Sequence, residues 1–325
     1  MRSKKTSSEW HRTNKWYTPI SMDNLESLFR THQITCIEEC DTIDFREICD
    51  AYSCSLLGKW FFSRAFRIDG SDWVIKEGRW DIDIPTIFWT KSIHGQPLQK
   101  LLSPFSYKFL PTREETWRQY QEYLVLARYF GFFDESYSYY QDYEAMRHFQ
   151  TGLRWNLDIF RGILRGRFDI HLPENFSKNF PVFHNFLPRE YMSYGTAISP
   201  ENRGKETSYI AQEFISGNPL SDKKLEDFTR EELSQIYLLC ILMLVFYIQT
   251  GKIPDTRPTN DPKHWWQWFL HTENIFVTPW EGIKMVDTRW LWNIDENLIK
   301  RWIIIPELIL QSVIKATKKI SKMLS

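Results

Sequence analysis

Residues 236–251 read "IYLLCILMLVFYIQTG", a run without a single charge. A helix apolar on every side has no face for solvent, so the rest of the chain must wrap around it. The run falls short of the roughly 20 residues that a bilayer-spanning helix needs. The sequence therefore predicts a buried helix over 229–250. With 325 residues, of which 42% are hydrophobic, the chain is long enough to supply the wrapping as one large domain or as two lobes that share a cleft.

Charge then limits the partners. Lys+Arg and Asp+Glu are both 41, so no global positive field draws nucleic acid or an anionic membrane, and any anion site must be local. The 15 Trp and the 16% aromatic content point mainly to large rings filling cores and lobe interfaces. Four of the five cysteines lie in "TCIEECDTIDFREICDAYSC" (Cys36, Cys40, Cys49, Cys54), and their spacings of 3, 8 and 4 residues match no common zinc pattern. They are expected as reduced thiols of a cytoplasmic protein. The N-terminus "MRSKKTSSEWHRTNKWYTPIS" is polar and lacks an apolar signal core.

Local patterns set the order of elements. Short helices are expected at 22–30 and 43–50. "GKWFFSRAFRI" and "SDWVIKEGRW" read as antiparallel strands joined by the turn "DGSD", with Lys76 closing the second apolar run. Residues 81–111, punctuated by Pro85, Pro104 and Pro111, read as irregular. "TREETWRQYQEYLVLARYFG" has a Thr N-cap, early glutamates, apolar residues at 117, 120, 124 and 127, and a stop at Gly131, the marks of an amphipathic helix. Residues 135–180 are expected as further helix and loop. Strand texture returns in "NFLPREYMSYGTAI" and "TSYIAQEFISGNPL", and the chain then becomes mainly helical. Strands, helix, strands, then helices suggest an α+β protein with a small antiparallel-sheet lobe before a larger, mainly helical one.

Four stretches carry a family resemblance. "WVIKEG" is similar to the strand bearing a phosphate-binding lysine, here Lys76, and "YIAQEFISGNPL" to an inter-lobe hinge. "HTENIFV" is similar to the end of a catalytic loop, with Leu270, His271 and Asn274 in register. "GIKMVDT" places Asp287 at a metal-binding aspartate. In this order they resemble the protein-kinase-like superfamily, nearest the aminoglycoside phosphotransferases and other small bacterial kinases, over roughly residues 55–300. The resemblance implies a two-lobe kinase-like fold: an N-terminal arm with helices over 1–54, an N-lobe with a helical insertion over 55–215, and a C-lobe with a metal-site hairpin over 216–325.

It also implies ATP and Mg²⁺ as ligands. Lys76 would meet the phosphates and Gly58 stands for a reduced glycine-rich loop. Main-chain atoms of Glu213 and Ile215 would meet the adenine edge. Asn274 and Asp287, brought together by two antiparallel strands and a tight turn, would offer hard oxygens to Mg²⁺. Glu122 is nearest in register to the helix glutamate that steadies the lysine, although Gln121 fits the apolar stripe better.

Phe269 stands where the family has its catalytic aspartate, with Trp268 and Gln267 before it. Such a base contributes about 10²–10⁴-fold, so the expectation is a nucleotide-binding, pseudokinase-like protein of weak or no activity. The alternative is an active phosphotransferase acting on a small molecule or a protein, with a displaced base from Asp255, Asp261, His264 or Glu273. Arg257 in "PDTRP" is stiffly presented and is a candidate anion clamp or helix cap. A non-catalytic alternative rests on "RWIIIPELILQSVIKATKKISKMLS", whose apolar face and Lys315, Lys318, Lys319 and Lys322 suit either peripheral membrane or partner contact, or a last helix with a solvated basic edge.

Overall fold

The computed structural model describes residues 22–34, 36–37, 42–59, 63–78, 80–83, 106–131, 152, 157–173, 185–254, 256, 272, 274–279, 281–287, 291–293 and 305–325. In chain order these form α1 (Met22–Thr31), β1 (Ile43–Asp44), α2 (Phe45–Tyr52), β2 (Cys54–Lys59), β3 (Ser63–Ile68), β4 (Trp73–Gly78), β5 (Trp80–Asp83) and β6 (Ser106–Phe109). Helices α3 (Arg113–Phe130) and α4 (Leu157–Phe168) follow, then β7 (Glu190–Thr196), β8 (Glu206–Glu213) and β9 (Asn218–Pro219). The remainder is α5 (Arg230–Thr250), β10 (Lys252–Pro254), β11 (Ile275–Thr278), β12 (Gly282–Met285), β13 (Leu291–Asn293) and α6 (Ile305–Leu324). The protein is α+β.

Six strands form one sheet in the order β1-β7-β8-β4-β3-β2, antiparallel throughout except where the short β1 runs parallel to β7. The β3–β4 hairpin turns at "DGSD", where Ser71 Oγ donates to the Ile68 carbonyl and accepts from the Trp73 amide. "GKWFFSRAFRI", read as one strand, is instead the β2–β3 hairpin, with Lys59 opposite Arg64. The ends of the stretch 81–111, read as irregular, are paired as the antiparallel ribbon β5–β6.

The helices before the sheet are part of its core. Phe45 of α2 stacks on Tyr209 of β8 at 3.7 Å between ring centroids, and Phe29 of α1 meets Trp73 edge-on at 5.3 Å. Beyond α1, the Ile34 amide donates to the Met192 carbonyl and the Met192 amide to Gln33 Oε1, which covers the outer edge of β7. The S–S bond Cys49–Cys54 ties the end of α2 to β2. This corrects the expectation of reduced thiols for that pair, whose sulfurs are held by each other. Cys36 and Cys240 stand outside the disulfide.

Helix α3 begins with the capping box that its sequence signals: Glu115 N donates to Thr112 Oγ1 and Thr112 N to Glu115 Oε2. Helix α5 has the same device in Thr229 and Glu232 and ends at Gly251 in a left-handed conformation. At 21 residues α5 is long and apolar enough to cross a membrane by length and composition, against the expectation that its apolar run is too short. In the fold, however, 72% of its apolar window is buried. Tyr129 of α3 meets Phe246 edge-on and donates to Gln249 Oε1, while α6 packs along α5 with Val313, Thr317 and Ile320 inward. The apolar face of α6 thus belongs to the core. Lys315, Lys319 and Lys322 stay exposed, and Lys318 reaches Asp169 at 3.1 Å.

Candidate functional site

Lys76 does not end an edge strand. It sits within β4, an interior strand, opposite Ala65 on β3 and Ile210 on β8. Directly opposed residues share a face of the sheet. The row continues to Gly58, which pairs with Ala65 beside a register shift in β2, so Ala65 lies next to the lysine and Gly58 one strand further out. An ammonium in mid-strand needs an anionic partner. Its Nζ lies 4.0 Å from Asp287 Oδ1, with the side chains 12% and 29% exposed.

Asp287 is delivered by the hairpin β11–β12, in which Ile275 opposes Met285 and Thr278 opposes Gly282. Thr278 Oγ1 donates to the Gly282 carbonyl and accepts from the Glu281 amide, which closes the turn. Gly282 has φ +75°, and a Cβ there would meet Gln235 Oε1, the acceptor for the Ile283 amide. Just past the hairpin Asp287 itself has φ +58°. Asp tolerates this left-handed region better than most residues, at a strain of order 1 kcal/mol. The conformation breaks the strand alternation at the carboxylate that faces Lys76.

Asn274 lies at the other open end of the same hairpin. Its carbonyl accepts from the Val286 amide at 2.8 Å, its own amide donates to Thr272 Oγ1, and only 7% of the residue is exposed. Asn274 therefore faces Val286, the residue before Asp287, across the open end of the hairpin. Among the described residues no three His, Cys, Asp or Glu cluster as a metal site. An amide oxygen and one carboxylate are few ligands, the number a Mg²⁺ takes from protein when water and phosphate complete its shell.

The segment after β8 crosses from the sheet to this hairpin. The Phe214 amide donates to the Asp72 carbonyl, and Arg67 covers the Phe214 ring at 4.1 Å. The Ile215 amide makes no hydrogen bond among the described residues. Pro219 and Asn218 then pair with Phe276 and Val277. A Cβ on Gly217 would lie 2.5 Å from the Val277 carbonyl oxygen, so only glycine allows this approach. Glu213 turns its carboxylate away to Arg189 at 2.9 Å, leaving main chain as its contribution to the crossing.

Glu122 and Gln121 do not steady Lys76. Gln121 is exposed, and half-buried Glu122 makes no ion pair among the described residues, because α3 buries a face built on Tyr120, Tyr123, Leu126 and Ala127. Phe269, Asp255, Asp261, Glu273, Arg257, His264, Leu270 and His271 lie outside the described residues.

Three features had no sequence signal. One is Lys284, 1% exposed, whose ammonium burial pushes below its ordinary pKa while Glu281, 3.3 Å away, and Glu213 pull it back. Another is buried Glu77, whose Oε2 accepts from the Ile198 and Ser199 amides. The third is the Arg189 cluster, assembled from α1, β7 and β8. No family model matches the chain, and no curated protein matches it significantly.

Proposed function

We propose that the chain is a kinase-like nucleotide-binding protein that holds Mg-ATP between the six-stranded sheet and the β11–β12 hairpin, with weak or no phosphoryl transfer. The observation that carries this is the 4.0 Å approach of Lys76 to Asp287, which the resemblance pairs across the phosphates. Its supports are the antiparallel strand order β2-β3-β4-β8-β7, the placing of α3 between β4 and β7 in the chain, and the crossing from β8 to the hairpin.

The residues fit the ligand. Lys76 supplies a cation for phosphate oxygens, and Asn274 and Asp287 supply hard oxygens for Mg²⁺. The lysine and the aspartate neutralise each other when alone, and each gains a partner of opposite charge when the Mg²⁺–phosphate pair enters between them. Main-chain groups at Glu213 and Ile215 meet the adenine edge. Bound Mg²⁺ would neutralise charge on the transferring phosphate. With Phe269 in place of an acidic base, nothing at that position orients an acceptor hydroxyl, and turnover should sit well below the ~1–100 s⁻¹ of active kinases.

Calorimetric titration of the full chain with ATP, with and without Mg²⁺, tests this. Binding that depends on Mg²⁺ is expected, and absence of ATP binding in both conditions overturns it. Phosphate release at an active-kinase rate would replace weak transfer by a displaced base.

A further inference from the structure

Arg189, the residue before β7, is bonded on four sides. Nη1 donates to Glu26 Oε2 of α1 at 2.8 Å and Nη2 to Glu213 Oε1 at 2.9 Å. Its amide donates to Glu213 Oε2 at 3.3 Å, and its carbonyl accepts from the Glu213 amide at 2.9 Å. The guanidinium also lies 5.5 Å from the Trp73 ring centroid, and Trp73 opposes Glu213 in the ladder.

Glu26 is fixed in turn. It accepts from Tyr191 Oη at 2.9 Å and from Arg30 at 3.3 Å. On the far side, buried Lys284 of β12 feels both Glu213 and Arg189. Carboxylate, guanidinium, carboxylate and ammonium thus alternate from α1, through the end of β8, towards the hairpin that presents Asp287.

Glu213 is the last residue of β8, and two positions later comes Ile215, whose amide makes no hydrogen bond among the described residues. A planar guanidinium held at both ends fixes direction as well as distance. We infer that Arg189, braced by Glu26, is a positioning residue that sets the Glu213–Ile215 main chain for the adenine edge, which makes helix α1 part of the nucleotide site. This rests on the nucleotide site proposed above. The hydrogen bonds of Arg189 run to Glu26 and Glu213 on the sheet side, so its effect is expected at the base rather than at the phosphates.

That separation gives the test. Full-length wild type, Arg189→Gln and Glu26→Gln are titrated with Mg-ATP and with Mg-tripolyphosphate, which lacks adenine and ribose. Arg189→Gln is expected to weaken Mg-ATP about tenfold, the scale of one or two well-made hydrogen bonds, and to leave Mg-tripolyphosphate unchanged. Glu26→Gln, which keeps the shape and a neutral acceptor, shifts Mg-ATP in the same direction by less and remains testable if Arg189→Gln does not fold. Equal weakening of both ligands, or no change in either, overturns the positioning role while leaving the site intact. Wild type that binds neither ligand overturns the site itself and this role with it.

Discussion

The Lys76 ammonium lies 4.0 Å from the Asp287 carboxylate, joining the interior strand of the six-stranded sheet to the end of the β11–β12 hairpin. The contact is at the outer limit of an ion pair, and Asp287, 29% exposed, can hydrate when the lysine is removed, so the net contribution of the pair is about 0–1 kcal/mol. The left-handed backbone of Asp287 adds a strain of order 1 kcal/mol to set against that contribution.

The substitution Lys76→Met should therefore lower stability by under about 1 kcal/mol in urea denaturation while abolishing most nucleotide affinity. A loss of several kcal/mol would identify the pair as a structural staple.

Two glycines should respond with opposite signs. A Cβ at Gly217 meets the Val277 carbonyl oxygen at 2.5 Å, so Gly217→Ala forces the crossing segment off the hairpin and should cost about 1–3 kcal/mol. Gly162, inside α4, has nothing within 4 Å of an added Cβ, and Gly162→Ala should stabilise by ~0.5–1 kcal/mol. Thermal melts of the two variants check both signs, and equal behaviour would contradict the close approach.

Burial lowers the pKa of Lys284 from 10.5, with Glu281 and Glu213 opposing. Between the lowered folded value and 10.5 the unfolded chain binds more protons, so this residue's contribution to stability rises with pH in that window. Below it the full cost of burying the charge is present. Lys284→Met should then be at least as stable as wild type at neutral pH, because half-exposed Glu281 can hydrate and Glu213 keeps Arg189. Its advantage should shrink as pH climbs towards 10.5. A variant several kcal/mol weaker at neutral pH would show that the buried ammonium stabilises the hairpin.

The Tyr209 hydroxyl accepts from the Ile198 amide at 2.8 Å and has one proton for two acceptors, the Thr196 carbonyl at 2.7 Å and Glu77 Oε2 at 3.1 Å. Burial, then the charge of Glu77, raises its pKa, so folded protein keeps a proton that the unfolded chain loses above about pH 10, and stability falls there. Tyr209→Phe should cost about 1–3 kcal/mol at pH 7 and flatten that alkaline fall. An unchanged alkaline limb would assign the fall to other tyrosines.

Elements whose signals are local were legible in the sequence. Thr112 and Glu115 cap α3 through neighbours three residues apart, and the β11–β12 hairpin follows from two apolar runs around a Gly turn. The β2–β3 hairpin was missed because "KWFF" holds no Gly, Pro, Asn or Asp to mark a turn. Lys76 looked like a strand end because two polar-turn residues, Glu77 and Gly78, follow it. Glu77 stays in the strand because it is buried against Tyr209, 132 residues away. The Cys49–Cys54 bond and the Arg189 cluster likewise depend on tertiary placement, which spacing does not encode. Of the candidate site, the sequence names Lys76 and Asp287, which the fold brings within 4.0 Å, and Asn274 at the start of the same hairpin. Glu122, named by register and off the apolar stripe, makes no ion pair among the described residues, and the face that α3 buries is built on Tyr120, Tyr123, Leu126 and Ala127.

The most direct measurement is the melting temperature of wild type and Asp287→Ala with saturating Mg-ATP. Ligand at about 100 times its Kd stabilises a folded protein by ~2.7 kcal/mol, a shift of several degrees for a chain of this size. That shift is expected in wild type and little of it in Asp287→Ala. No shift in wild type, or the same shift in both, would contradict the proposed Mg-ATP site.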